Sequence, residues 1–156
     1  MKLQFATSEI EYWAEQYADS EDTDVTDLVP PVRRCGFLTL DQLRIVGHWK
    51  SPRSAGRIER NQEDFVKTIT GFALQTPNER ARIEALTILN GVKWPTASVI
   101  LHFFHREKYP ILDFRALESV GEVLPPQYSF DFWWRYVEFC RDLSDRSGKD
   151  MRTLDR

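Results

Sequence analysis

Leu89-Asn90-Gly91-Val92-Lys93-Trp94-Pro95-Thr96-Ala97-Ser98 is the stretch on which the fold turns. Ahead of it, Thr76-Pro77-Asn78-Glu79 reads as a helix start: a cap, a proline at the first helical position and a glutamate at the third. The apolar positions Ile83, Leu86 and Ile88-Leu89 then carry that helix to Gly91, a residue suited to ending it. Behind the stretch, Pro95 opens a helix with Ala97, Ile100, Leu101 and Phe104 at helical spacing. The pattern predicts two helices joined by a Gly-Val hairpin, over about residues 79–105.

Helical periodicity continues on both sides. Ser8 with Glu11, and Thr39 with Gln42, have capping-box spacing. The first opens a helix with Ile10, Trp13, Ala14 and Tyr17 on one face; the second precedes Leu40, Leu43, Val46 and Trp49. Ser51-Pro52 and Gly56 break that second helix, and Asn61 is placed to cap one carrying Phe65, Ile69, Phe72 and Ala73. A short helix follows Asp113, and Ser129 starts one with Trp133, Tyr136, Val137 and Cys140 inward. Residues 20–31, an acidic run ending in Val29-Pro30-Pro31, read as an exposed connection. Met151–Arg156 begins a last helical pattern without an end signal, as in a frayed helix or a truncated chain. Strand-like alternation is scarce. The expectation is an all-α compact helical domain, a single domain over residues 1–156.

Composition narrows the function classes. The 156 residues carry a net charge of −3, and no apolar run approaches the roughly 18–20 residues of a membrane span. No basic and apolar leader opens the chain, so the expected location is cytoplasmic, with Cys35 and Cys140 as reduced thiols. Two cysteines are too few for an iron–sulfur cluster. No Walker motif, dinucleotide glycine pattern or Ser/His/Asp arrangement is present. The negative total comes from residues 1–30, where one lysine faces eight acids for a net of −7. Residues 31–60 hold seven basic residues against two acids, so a local basic surface is compatible with the total.

A tight hairpin followed by a helix N-terminus presents backbone N–H groups and the positive end of the helix dipole, an arrangement suited to phosphate. Thr96 adds a hydroxyl donor. A glycine-ended helical hairpin is also a common structural device. The next segment, Tyr109-Pro110-Ile111-Leu112-Asp113, places an aspartate 22 residues beyond Gly91. Together, over about residues 85–121, hairpin and aspartate resemble the HhH-GPD (helix-hairpin-helix) superfamily of DNA glycosylases, in the form of a divergent and compact member. The Pro-Ile-Leu-Asp form is most similar to its adenine-glycosylase branch.

The resemblance implies a DNA-binding enzyme that flips a nucleotide from the duplex and hydrolyses the N-glycosidic bond. It implies Asp113 as the catalytic carboxylate, with a helix N-cap as the structural alternative. Gly91, Val92, Lys93, Thr96 and Ala97 become the phosphate grip, and double-stranded DNA with a flipped or damaged base becomes the partner. Where bifunctional members carry a Schiff-base lysine this chain has Pro95, which implies a monofunctional hydrolase. Lys93 stands at the second hairpin glycine, a strained choice if that site needs positive φ. A monovalent cation held by the carbonyls of Thr87, Leu89 and Val92 is implied as well, although Lys93 could displace it; no other cofactor is.

His48-Trp49-Lys50-Ser51-Pro52-Arg53 mixes an aromatic with cations. Trp49 could stack on a base while Lys50 and Arg53 meet phosphates, or Trp49 could pack at a helix end beneath exposed charges. His102 and His105 lack an obvious third metal ligand, and Phe103-Phe104 and Trp133-Trp134 read as packing. Two other classes remain open: a non-catalytic helix-hairpin-helix DNA-binding module, and a protein-interaction or structural domain whose acidic N-terminal segment docks on a partner.

Overall fold

In a computed structural model, which describes residues 1–17 and 22–156, the chain is an all-α domain with no strand among the described residues. A 3-10 turn, Thr7–Glu9, leads into α1 (Ile10–Ala14); α2 (Thr23–Thr26) and α3 (Val29–Cys35) follow. Next come α4 (Leu40–Lys50), α5 (Pro52–Ile58), α6 (Glu63–Gln75) and α7 (Glu79–Leu86). The chain closes with α8 (Trp94–Phe104), α9 (Phe114–Ser119), α10 (Phe130–Ser147) and α11 (Met151–Asp155).

The core is built around α8. Thr96 through Leu101, Phe103 and Phe104 are all buried, because the sequence is apolar on every side and α3, α4 and α7 pack around it. Tyr109 stacks on Trp133 of α10 with centroids 5.7 Å apart, closing the core from the C-terminal side. Thr39 caps α4 as its spacing predicts: its hydroxyl accepts from the Gln42 amide, and the Gln42 side chain accepts from the Thr39 amide. Ser51, in extended backbone, ends α4, and Pro52 starts α5 at once. Gly47 fixes how close those two helices come. A Cβ there would sit 2.1 Å from Cδ1 of the buried Ile58, so α5 occupies the space a side chain would need.

Several sequence expectations give way. The break expected at Ser51-Pro52 does separate α4 from α5, but Gly56 lies inside α5 rather than at a break. Val29-Pro30-Pro31 forms the first turn of α3, where missing N–H donors cost nothing, and Thr23–Thr26 is helical, so the described part of the expected exposed connection 20–31 is largely helix. Ser20 and Glu21 lie outside the described residues. Ser8 is not a cap: Glu9 reaches back to the Ala6 amide instead. The α7 cap is Asn78, which accepts from the Ala81 amide, and α7 ends at Leu86, short of Gly91. On α6 the inward face is Val66, Thr70 and Ala73, while Phe65 and Phe72 are exposed. Thr70 is the reason: its hydroxyl donates to the Val66 carbonyl and accepts from the Leu38 amide, so a polar residue sits comfortably inside.

Candidate functional site

The loop between α7 and α8 turns at Gly91, whose φ of 80° lies in the left-handed region. Asn61 holds this loop from outside. Its buried side chain accepts from the Asn90 amide and donates to the Asn90 carbonyl, 2.9 Å in each case, and also donates to the Ile58 carbonyl. The residue therefore joins the end of α5 to the hairpin rather than capping α6, which Gln62 precedes. Lys93 adopts φ −114°, so the position needs no glycine and its exposed side chain costs no strain.

The expected phosphate grip is only partly on the surface. The Val92 amide donates to the Leu89 carbonyl, the Ala97 amide donates to the Lys93 carbonyl, and Val92, Thr96 and Ala97 are buried. Gly91, half-buried, and Lys93, exposed, are the members that solvent reaches. Of the carbonyls named for a monovalent cation, Leu89's accepts from the Val92 amide, and the adjacent Asn90 carbonyl accepts from Asn61.

Asp113 lies beyond α8 in the chain, at the end of a ribbon that belongs to no helix. Tyr109, Pro110, Ile111 and Leu112 are buried in it, and buried backbone groups need partners. Side chains supply them. His102 Nδ1 lies 2.7 Å from the Tyr109 carbonyl, the Tyr136 hydroxyl donates to the Ile111 carbonyl, and Asp155 accepts from the Ile111 amide. Ser98 accepts from the Leu112 amide at 2.8 Å while donating to the Pro95 carbonyl. Ser98, one turn into α8, thus fixes the residue immediately before Asp113.

The Asp113 carboxylate caps α9 by accepting from the Arg115 amide, and its other oxygen accepts from the Lys50 ammonium at 2.8 Å. Burial would raise its pKa, but the Lys50 hydrogen bond and charge, together with the Arg115 amide, outweigh that and hold it below the ordinary aspartate value. The Asp113 side chain remains 35 % exposed while Lys50 is 13 % exposed, so the carboxylate faces outward over a largely covered lysine. Lys50, expected at a phosphate, is thus paired with Asp113 in the fold. Trp49 packs edge-on against Phe103 at 5.6 Å, and Arg53 is exposed.

Asp113, Lys50 and Trp49 line a cavity of about 1060 Å³, with Phe5, Trp13 and Tyr17 from the N-terminal segment and Arg152 and Asp155 from α11. No hairpin residue lines it. Arg152 anchors the far wall. It bonds both Asp22, which is buried, and Asp155, and lies over the rings of Tyr17, Trp49 and Phe103. Burial pushes the Asp155 carboxyl up to about 7 despite the opposing Arg152 and Lys50 charges, and burial pushes His102 down to about 4. His105 takes a hydrogen bond from Arg82, and no cluster of His, Cys, Asp or Glu among the described residues could hold a metal. No described helix is long and apolar enough to cross a membrane, and Cys35 and Cys140 are free thiols.

Ser98, Asp155, Tyr136 and the Lys50–Asp113 pair escaped the sequence. Lys50 and Asp113 are 63 residues apart, with no local pattern to connect them. Ser98 alone stood inside the quoted motif, as a serine in a helix otherwise apolar. Neither a family model, nor a curated protein, nor a solved structure matches this chain.

Proposed function

We propose that the protein is a monofunctional DNA N-glycosylase of HhH-GPD type, acting on a nucleotide turned out of a duplex into the cavity. The observation that carries this is Asp113: a carboxylate kept ionised by Lys50, at the wall of a cavity lined by aromatic rings. An aromatic wall accepts the faces of a flipped base, and a fixed negative charge stabilises the oxocarbenium character that develops at the sugar. In hydrolysis the C1′–N bond breaks with its electron pair leaving on the base, and water oxygen bonds C1′. Asp113 orients that water and takes its proton, while the departing base acquires one from solvent. Pro95 carries no amine, so α8 supplies no covalent intermediate at that position.

The test is release of free base from duplexes bearing damaged or mismatched nucleotides. Asp113→Asn should lower release by about a hundredfold or more while leaving duplex affinity within about twofold. A broad panel that yields no abasic product sinks the enzyme reading. One observation favours a second reading, a duplex-binding module without chemistry. Both Asp113 oxygens already have partners, as a purely structural N-cap would. Under that reading Asp113→Asn changes stability alone.

A further inference from the structure

With Lys50 paired to Asp113 and Thr96 and Ala97 buried, exposed arginines on and just after α5 stand in the chain between the Asp113 partner and the hairpin's anchor. Arg53 and Arg57 lie four residues apart on α5, which puts them about 5–6 Å apart at Cβ on one face. The chain then continues in a tight turn, the Arg60 amide donating to the Arg57 carbonyl, which keeps Arg60 in the same row. All three are exposed, and none makes an ion pair or side-chain hydrogen bond among the described residues. The one acid within the row, Glu59, is drawn aside to Arg44 at 2.8 Å. The row also has fixed ends. Residue 50, just before α5, holds Asp113, and Asn61, just after Arg60, holds Asn90 next to Gly91.

Gly56 sits between Arg53 and Arg57 in sequence. A glycine inside a helix costs about 0.5–1 kcal/mol against alanine, usually in exchange for a close contact. Here a Cβ would meet nothing within 4 Å, unlike Gly47 on the neighbouring helix. The protein's own packing gives no reason for the glycine.

We propose that Arg53, Arg57 and Arg60 form, with Lys93, a track for the phosphate backbone of duplex DNA, running from the Asp113 cavity to the hairpin, and that the backbone passes closest at Gly56. The track rests on the reading that this protein binds a duplex. It assigns that binding chiefly to α5 and the turn after it, with Lys93 at the cap of α8, rather than to the buried Thr96 and Ala97. Each cation contacts one phosphate and reads no sequence.

The experiment measures binding of the full chain to a labelled, undamaged duplex by fluorescence anisotropy across a salt series. Replacing Arg53, Arg57 and Arg60 together by Gln should weaken binding at least about tenfold at low salt and flatten the log–log salt slope by about 2–3, at roughly 0.9 per phosphate contact. Lys93→Gln should remove about one. Arg34→Gln and Arg106→Gln, exposed arginines on other segments, serve as controls and should leave the slope unchanged. Gly56→Ala should raise the melting temperature yet weaken binding several-fold; alanine that stabilises without affecting affinity removes Gly56 from the track. If wild type binds with a steep salt slope that the triple variant retains, the track is wrong and duplex binding stands. If wild type binds no duplex at any salt, both the track and the proposed function fall.

Discussion

The hairpin between α7 and α8 and the ribbon from Tyr109 to Asp113 face the same problem and solve it differently. Each is non-helical backbone beside the core, with N–H and C=O groups that helices do not satisfy. At the hairpin the partner is one neutral amide, Asn61. At the ribbon the partners include His102 and Asp155, and the segment ends in the Lys50–Asp113 ion pair. Amides do not titrate, whereas imidazoles and carboxylates do. The hairpin should therefore be indifferent to pH, and the ribbon, with the cavity it borders, should not.

The largest way to break this contrast is Arg152→Met. It takes the paired guanidinium from nearly covered Asp155 and leaves buried Asp22 with Arg156 and Tyr17, at a cost of about 3–5 kcal/mol near pH 8. By pH 5 Asp155 carries a proton, so the loss measured in urea should be smaller there; an equal loss at both pH values would detach Asp155 from the network. Next in size is Asn61→Ala, which leaves the Asn90 amide and carbonyl without their partner and should cost about 1–3 kcal/mol. That cost should be the same at pH 5 and pH 8. A pH-dependent loss would mean that the hairpin is coupled to the ionised side.

The smallest effect is the most diagnostic. Asp155 is raised to about 7 in the fold from an ordinary value of about 3.9, so its contribution is fully present below about 3.9 and disappears as pH rises through about 7. His102, lowered to about 4 from about 6.5, has the opposite sign: its contribution is present above about 6.5 and disappears as pH falls through about 4. Between these values the two oppose each other and flatten the wild-type profile. Asp155→Asn keeps an acceptor for the Ile111 amide and removes the titration together with the charge that meets Arg152. Its stability relative to wild type should improve as pH rises from about 4 to about 8, read from paired urea titrations. A constant difference would show that Asp155 does not titrate in that window.

Local signals in the sequence carried a good part of this architecture. The Thr39–Gln42 box, Ser129 as a cap for α10, Asp113 at the start of a short helix, and the buried faces of α8 and α10 all appear where their residues point. What escaped was tertiary. Asn61 is placed as a cap on paper, but its amide is taken by a hairpin 29 residues away, and α7 is capped by Asn78 rather than by Thr76. Two helical stripes of the same period compete on α6, and the one containing Thr70 faces inward because Leu38 gives its hydroxyl a partner. Asp22 and Arg152, 130 residues apart, meet across the cavity, so part of an apparently acidic, exposed segment is a buried wall. At the candidate site the aspartate was singled out by the resemblance that the hairpin and the Tyr109–Asp113 segment carry together. The lysine that sets its charge, and the serine that sets its position, were not.

Gly47 on α4 leaves a space that its neighbour on α5 has already filled. The Cδ1 methyl of Ile58 stands where a side chain at 47 would begin, so any replacement must displace that methyl, by a new Ile58 rotamer or by a shift of α5. The lysine beside Asp113 ends one of these helices and the row of arginines begins on the other. The packing between an ionised carboxylate and a positively charged edge thus depends on one isoleucine methyl resting where glycine has no atom.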